Sequence, residues 1–247
     1  MSYHTLTGGM SARTVVLLGM GNVGSHLARI LRQTEGYRLV YHYGRSLGMR
    51  LEDIPRHADI YIYALSDSAL PEVWAAMPET SGVWVHTAGS VSMEAMKAYH
   101  EACGVLYPLQ TFTKGRALDW SEVPIYYEGD DEVRRLAEAL SRRVYPADSA
   151  GRGKLHLAAV LACNYSNHLV ALAEDYLARE GFEPKALLPL IRETMSKLES
   201  MPARRAQTGP AVRRDEVTLA RHRALLEGQG ELLSIYNLLA ESIQRCL

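Results

Sequence analysis

Three observations predict an α/β fold, a parallel-sheet domain followed by a smaller all-helical domain. The first half of the 247-residue chain alternates short apolar runs with amphipathic segments. The first such pair is joined by a glycine-rich turn, Gly19-Met20-Gly21-Asn22-Val23-Gly24. Beyond residue 148 the short apolar runs stop, and every apolar pattern has helical spacing.

The segment Thr14 to Leu31 reads as a strand, that turn and a helix. Thr14–Leu18 is a continuous apolar run, and Val23, Leu27, Ile30 and Leu31 recur on one helical face. This order suits a dinucleotide pyrophosphate and makes the sheet domain Rossmann-type. Gly19 permits the tight turn, Gly21 the close approach of backbone to phosphate, and Gly24 the packing of helix on sheet. The helix N-terminus then offers free N–H groups to the anion.

The second strand, Tyr37 to Tyr43, ends about twenty residues past Gly24, where a ribose-reading residue normally sits. An NAD or FAD site usually carries Asp or Glu there. This chain has Gly44-Arg45-Ser46, with no acid until Glu52. A guanidinium binds a 2′-phosphate bidentately and a hydroxyl adds a donor, so NADP is favoured over NAD. The competing reading makes Arg45 a solvated loop residue. The missing carboxylate also argues against an S-adenosylmethionine methyltransferase.

Strands follow at Ala58–Leu65, Val83–His86, Gly104–Leu106, Pro124–Tyr127 and Arg143–Tyr145, with helices between most of them. Ligands in such sheets bind beyond the carboxyl ends of the strands, which places Ser66, Asp67, His86 and Gly89 beside the glycine loop. Helix capping explains Ser66 and Asp67 equally well.

A hinge at Asp148–Gly153 then divides the chain. Residues 1–12 are expected to be a flexible N-terminal extension, 13–148 the dinucleotide-binding domain, and 149–247 a helical domain for substrate and dimerisation. The expected helices are a long one from Lys154 to Leu177, about 36 Å at 1.5 Å per residue, one after Pro184, and two over 216–227 and 231–246. Such long apolar helices in a small domain suggest a homodimer built through them.

On the long helix, His156, Asn164 and Asn167 share one stripe. Facing a cleft between the domains, His156 or Lys154 would donate a proton to a C=O or C=N group being reduced. Asn164 would hold the substrate. Local hydrogen bonding at a dimer interface explains the same residues. The second polar segment, Met201 to Glu216, has two prolines, a glycine and four arginines, and reads as a loop. Arg213 would suit a substrate carboxylate or phosphate, and Asp215 would orient an arginine or cap the next helix.

Net charge is −1, which predicts neither nucleic-acid nor membrane binding. Cys103, Cys163 and Cys246 are odd in number and outside any CxxC spacing, as suits a reducing, cytoplasmic compartment without disulfides or zinc. No run of about 18 apolar residues is present, so no membrane span is expected. There is no GxxxxGK[ST], no GxSxG, and no Tyr four residues before any lysine, which excludes P-loop transfer, α/β-hydrolase and short-chain-dehydrogenase chemistry.

Nearly the whole chain resembles the Rossmann-like NADP-dependent oxidoreductases whose C-terminal helical domain has no assigned function. The resemblance is carried by LLGMGNVGSHLA at 17–28, VHTAGS at 85–90, YPLQTF at 107–112, LHLAAVLACNYSNHLVALAED at 155–175 and TGPAVRRDEVTLARH at 208–222. It is similar in its first half to pyrroline-5-carboxylate reductases, 3-hydroxyacid dehydrogenases and deazaflavin-dependent NADP oxidoreductases. The resemblance implies roles for His86, Gly89, Pro108, Gln110, Thr111, His156, Asn164, Gly209, Pro210, Arg213, Asp215 and His222, with Gln110, Thr111, Arg213 and Asp215 toward the substrate. Relatives usually carry His where this chain has Tyr107, and Gly where it has Arg214. The expected activity is hydride transfer between NADP(H) and a carbonyl or imine of a small anionic substrate, without a metal. The alternative is a non-catalytic NADP(H)-binding or sensing protein.

Overall fold

The computed structural model describes residues 11–246, so most of the expected N-terminal extension lies outside the described residues. The chain divides into two compact units, the first ending at Asn164 and the second spanning Tyr165–Leu247.

The first unit is built on seven strands: β1 (Arg13–Leu18), β2 (Tyr37–Tyr43), β3 (Ile60–Tyr63), β4 (Val83–His86), β5 (Cys103–Pro108), β6 (Ile125–Glu128) and β7 (Val144–Pro146). Their order across the sheet is β2-β1-β3-β4-β5-β6-β7. β1 is an interior strand, paired on both sides, and its nearly all-apolar side chains alternate between two cores. Val15 and Leu17 meet helix α1 (Asn22–Leu31) through Leu27 and Leu31, and α4 (Asp131–Leu140) lies in the same layer through Val133, Leu136 and Leu140. Val16 and Leu18 face the other way with Tyr61 and Tyr63, where α2 (Leu70–Ala76) and α3 (Met93–Lys97) supply Leu70, Trp74 and Met96.

The sheet departs from the all-parallel expectation at its far edge. β1 to β5 are parallel, but β6 pairs antiparallel with β5, and β7 runs parallel to β6. A parallel pair needs a crossover, usually a helix. The chain between Pro108 and Ile125 has only a 3₁₀ turn at Trp120–Glu122, so it returns beside β5 in the opposite sense.

Helix α5 (Ser149–Ala159) was assigned by sequence to the second domain, yet it packs with the sheet. Arg152, 1% exposed, pairs with Glu128 on β6 and donates to the Val91 carbonyl. Ser149 Oγ donates to Glu128 at 2.8 Å and accepts from the Met93 N–H at 3.0 Å. These bonds bring the division between units to Asn164 and Tyr165. The helix continues through a π-helical segment, Val160–Tyr165, into α6 (Ser166–Arg179). By length and composition the run Ser149–Arg179 is apolar enough to cross a membrane. Asn164, Asn167 and His168 interrupt this run while adding little charge.

The second unit holds α6 with α7 (Leu188–Ser200), α8 (Ala203–Ala206), α9 (Glu216–Leu225) and α10 (Gly230–Arg245). Its buried cluster is small: Ala211, Leu219 and Ala240, with Tyr236 and Ile243 against them.

Candidate functional site

The site is organised around the exit from β1. Gly19 has φ +118°, and a Cβ there would lie 2.2 Å from the Ala64 carbonyl oxygen, so only glycine fits the turn. A Cβ on Gly24 would lie 2.1 Å from the Gly19 oxygen, so helix α1 starts hard against the turn. His42 Nε2 on β2 donates to that same Gly19 oxygen at 2.8 Å and fixes the loop from the other side. Gly21 differs, because a Cβ there would meet nothing within 4 Å. It is the N-cap of α1, has no side chain to cap the helix, and no acidic residue follows in the first turn. The positive end of the helix is thus left to an external anion.

Two cavities adjoin at this point and share Gly21, Leu65 and Ser66 in their walls. The larger, about 640 Å³, lies on the β4–β5 side and is lined by Asn22, Val23, Asp67, Gly89, Gln110, Thr111, His156 and Asn164 among others. The second, about 620 Å³, runs past Gly19 to the tip of β2 and is lined by Arg45, Ser46, Glu72 and Lys114.

In the larger cavity a tyrosine and a histidine form a dyad. Tyr107 Oη lies 3.0 Å from His156 Nδ1. Burial raises the Tyr107 pKa, with the charge on Arg152 opposing and that on Asp67 reinforcing, so the phenol stays protonated beside the imidazole. A ring carrying its proton on Nε2 accepts the phenol hydrogen at Nδ1, whereas the other tautomer donates Nδ1–H to the phenol oxygen. The ring is pressed onto the loop after β4, where a Cβ on Gly89 would sit 2.6 Å from Nδ1. Below, Arg152 anchors the same helix one turn earlier. Ala159, Val160, Cys163 and Asn164 continue the cavity wall from His156, and the last three lie in the π segment. Ser90 Oγ donates to Asp67 at the rim.

In the second cavity Arg45 Nη1 lies 3.7 Å from Glu72 Oε1, with both side chains exposed. The sequence offered no acid near Arg45. This one comes from α2.

Comparison with known proteins places this geometry in a lineage. None of the curated proteins matches the chain. Residues 124–243 match DUF2520, a domain of unknown function. A crystal structure named "putative NADP oxidoreductase BF3122", from Bacteroides fragilis, shares 35% identity with the chain, covers 95% of it and 98% of itself, and superposes with a TM-score of 0.86. The chain belongs to that Rossmann-like NADP-binding family. Its fold is shared more distantly. A reductive aminase from Aspergillus terreus, solved with NADPH and ethyl levulinate, has a TM-score of 0.64 at 17% identity, covering 95% of each chain. A pyrroline carboxylate reductase from Plasmodium falciparum, solved with NADP, has a TM-score of 0.58 at 11% identity, covering 94% of this chain and 99% of that one.

Within this family fold the remaining sequence-assigned residues have definite surroundings. His86 is 0% exposed, packs its ring on Trp74 at 5.9 Å and lies outside the walls of both cavities. Its Nδ1 accepts the Ala88 N–H at 3.2 Å and shapes the loop instead. Lys154 is exposed and outside the cavity wall, because two residues along a helix turn it about 200° from His156. Asp215 caps α9 by accepting from Thr218 N at 3.0 Å and Thr218 Oγ1 at 2.7 Å. Arg213 is exposed in the second unit. Gly209, φ +112°, and Arg214, φ +53°, shape the loop before that cap. His222 Nδ1 pairs with Tyr236 Oη at 2.9 Å, inside the second unit. Residues the sequence reading missed are Glu72, Lys114 and Arg152, and the partnership of Tyr107 with His156. Among the described residues no group of three or more His, Cys, Asp or Glu side chains is placed to hold a metal.

Proposed function

We propose that this chain is an NADP(H)-dependent oxidoreductase acting on a carbonyl or imine of a small anionic substrate. One observation carries the reading: two cavities meet at an uncapped helix N-terminus, one holding Arg45 and Ser46, the other the Tyr107–His156 dyad and Asn164.

The N–H groups of Asn22 and Val23 at the start of α1 suit the pyrophosphate, and Arg45 with Ser46 suits a 2′-phosphate. When bound, the nicotinamide supplies or accepts a hydride. His156 offers its Nε2–H to the oxygen or nitrogen of the substrate, while Tyr107 partners Nδ1 from behind. Asn164 supplies an amide to orient the substrate, and Gln110 and Thr111 add polar groups at the mouth. The reductive aminase and pyrroline carboxylate reductase named above share the fold, which favours imines among the candidate substrates.

The reading includes a homodimer. The second unit buries few apolar residues of its own, while Phe182, Leu190, Met195, Leu198 and Leu238 are exposed. Surface of that kind is normally covered by another chain.

The test is NADPH oxidation across a panel of imino acids, keto acids and 3-oxo acids. Turnover lost at least a hundredfold in His156→Ala, with NADPH still bound, supports the reading. Tight NADPH binding with no turnover on any class identifies a sensor instead.

A further inference from the structure

The second cavity contains a charge arrangement that the cofactor assignment alone does not explain. Arg45 enters from the turn after β2, Glu72 from α2, and Lys114 from the loop after β5. A 2′-phosphate carries close to two negative charges, and an ordinary ribose hydroxyl carries none. A lone Arg45 would suffice to prefer the phosphate. Here its guanidinium is already engaged by a carboxylate. Both groups are exposed, so the pair is weak and exchanges easily.

We propose that a 2′-phosphate displaces Glu72 from Arg45 and is gripped by Arg45 and Lys114 together, so that Lys114 strengthens NADPH binding and Glu72 weakens it. Both act on the phosphate and leave NADH nearly untouched. Lys114 is a compact charge on a flexible stem, suited to reach a phosphate already forked by Arg45. Glu72 remains in the wall after exchange and repels the dianion, which keeps NADPH from binding too tightly to be released as NADP⁺. An uncharged ribose edge meets Glu72 only as a hydrogen-bond acceptor. The pair is thus a device for setting cofactor affinity as well as cofactor choice.

This rests on the NADP reading above, and the experiment separates the two. Equilibrium titrations of the full chain use NADPH, NADH, 2′,5′-ADP and 5′-AMP, followed by nucleotide or protein fluorescence and by calorimetry. In Lys114→Gln, NADPH and 2′,5′-ADP affinities should fall about fivefold to tenfold, and in Glu72→Gln rise about threefold to tenfold. NADH and 5′-AMP should change less than about twofold in either variant. The salt dependence of NADPH binding should flatten in Lys114→Gln. If wild-type protein prefers NADPH yet Lys114→Gln binds it normally, or Glu72→Gln binds it more weakly, this proposal fails and the cofactor reading stands. If wild-type protein binds neither NADPH nor 2′,5′-ADP, both fail.

Discussion

Gly89 and His156 are in contact closer than any other residue at position 89 would allow. The hypothetical Cβ falls 2.6 Å from Nδ1 and 2.7 Å from Cγ of the imidazole. The loop after β4 and helix α5 therefore hold the ring between them, with Tyr107 Oη 3.0 Å from Nδ1.

Gly89→Ala should push the ring off Tyr107 or the loop off the helix, at a cost of about 1–3 kcal/mol. His156→Ala in the same chain should recover much of that loss, since the two closest approaches are to ring atoms and only the 3.0 Å approach to the His156 Cβ remains. A double-mutant cycle on urea unfolding midpoints reads the coupling. Simple additivity would mean that the two residues do not touch in solution.

Arg152 and Glu128 should behave as an anchor for the helix carrying His156. Glu128→Ala leaves a guanidinium that is 1% exposed with only the Val91 carbonyl and Ser149 hydroxyl as partners. Stability should drop by about 3–5 kcal/mol, seen as a shifted denaturant midpoint. A loss below about 1 kcal/mol would indicate that water reaches the guanidinium.

His86 gives a pH dependence with a definite sign. An unfolded histidine titrates near 6.5, whereas in the fold burial, helped by the Arg152 charge, lowers the His86 pKa to about 3. Below pH 6.5 the unfolded chain takes up a proton that the folded chain refuses. The contribution is complete above that pH and declines toward pH 3, by about 1.4 kcal/mol per unit. The stability advantage of wild type over His86→Asn should shrink as pH falls from 7 to 5. A constant difference would place a charged or solvated ring in the fold.

Asp215 tests the capping role, the one of its two expected roles that the structure bears out. Removing the cap in Asp215→Ala should cost about 1 kcal/mol and leave nucleotide affinity alone. An unchanged stability with altered substrate affinity would restore the role that the sequence suggested.

These assignments mark what the sequence could reveal. The glycine turn, the succession of strands along the first half and the position of Arg45 follow from local patterns, because a tight turn and a phosphate loop each demand particular residues at fixed spacing. The stripe of His156 and Asn164 was legible from helical periodicity. The partner of His156 was not, since Tyr107 lies on β5 and only the sheet brings it near. Glu72 and Lys114 reach the second cavity from separate segments with no shared pattern. Lys154 carries suitable chemistry, but two steps of 100° along the helix turn it away from the wall that holds His156. His86 misled because its strand-end position suggested a ligand while its side chain points into the Trp74 layer. The antiparallel β6 was hidden because a strand's direction is set by the connection preceding it.

The most direct test of the account is a paired titration of wild type and Arg45→Asp with NADPH and NADH. The account predicts saturable binding of both by wild type, NADPH tighter by about tenfold or more, and that preference lost or reversed in Arg45→Asp. Failure of wild type to bind either nucleotide, or an identical preference in both proteins, would contradict it.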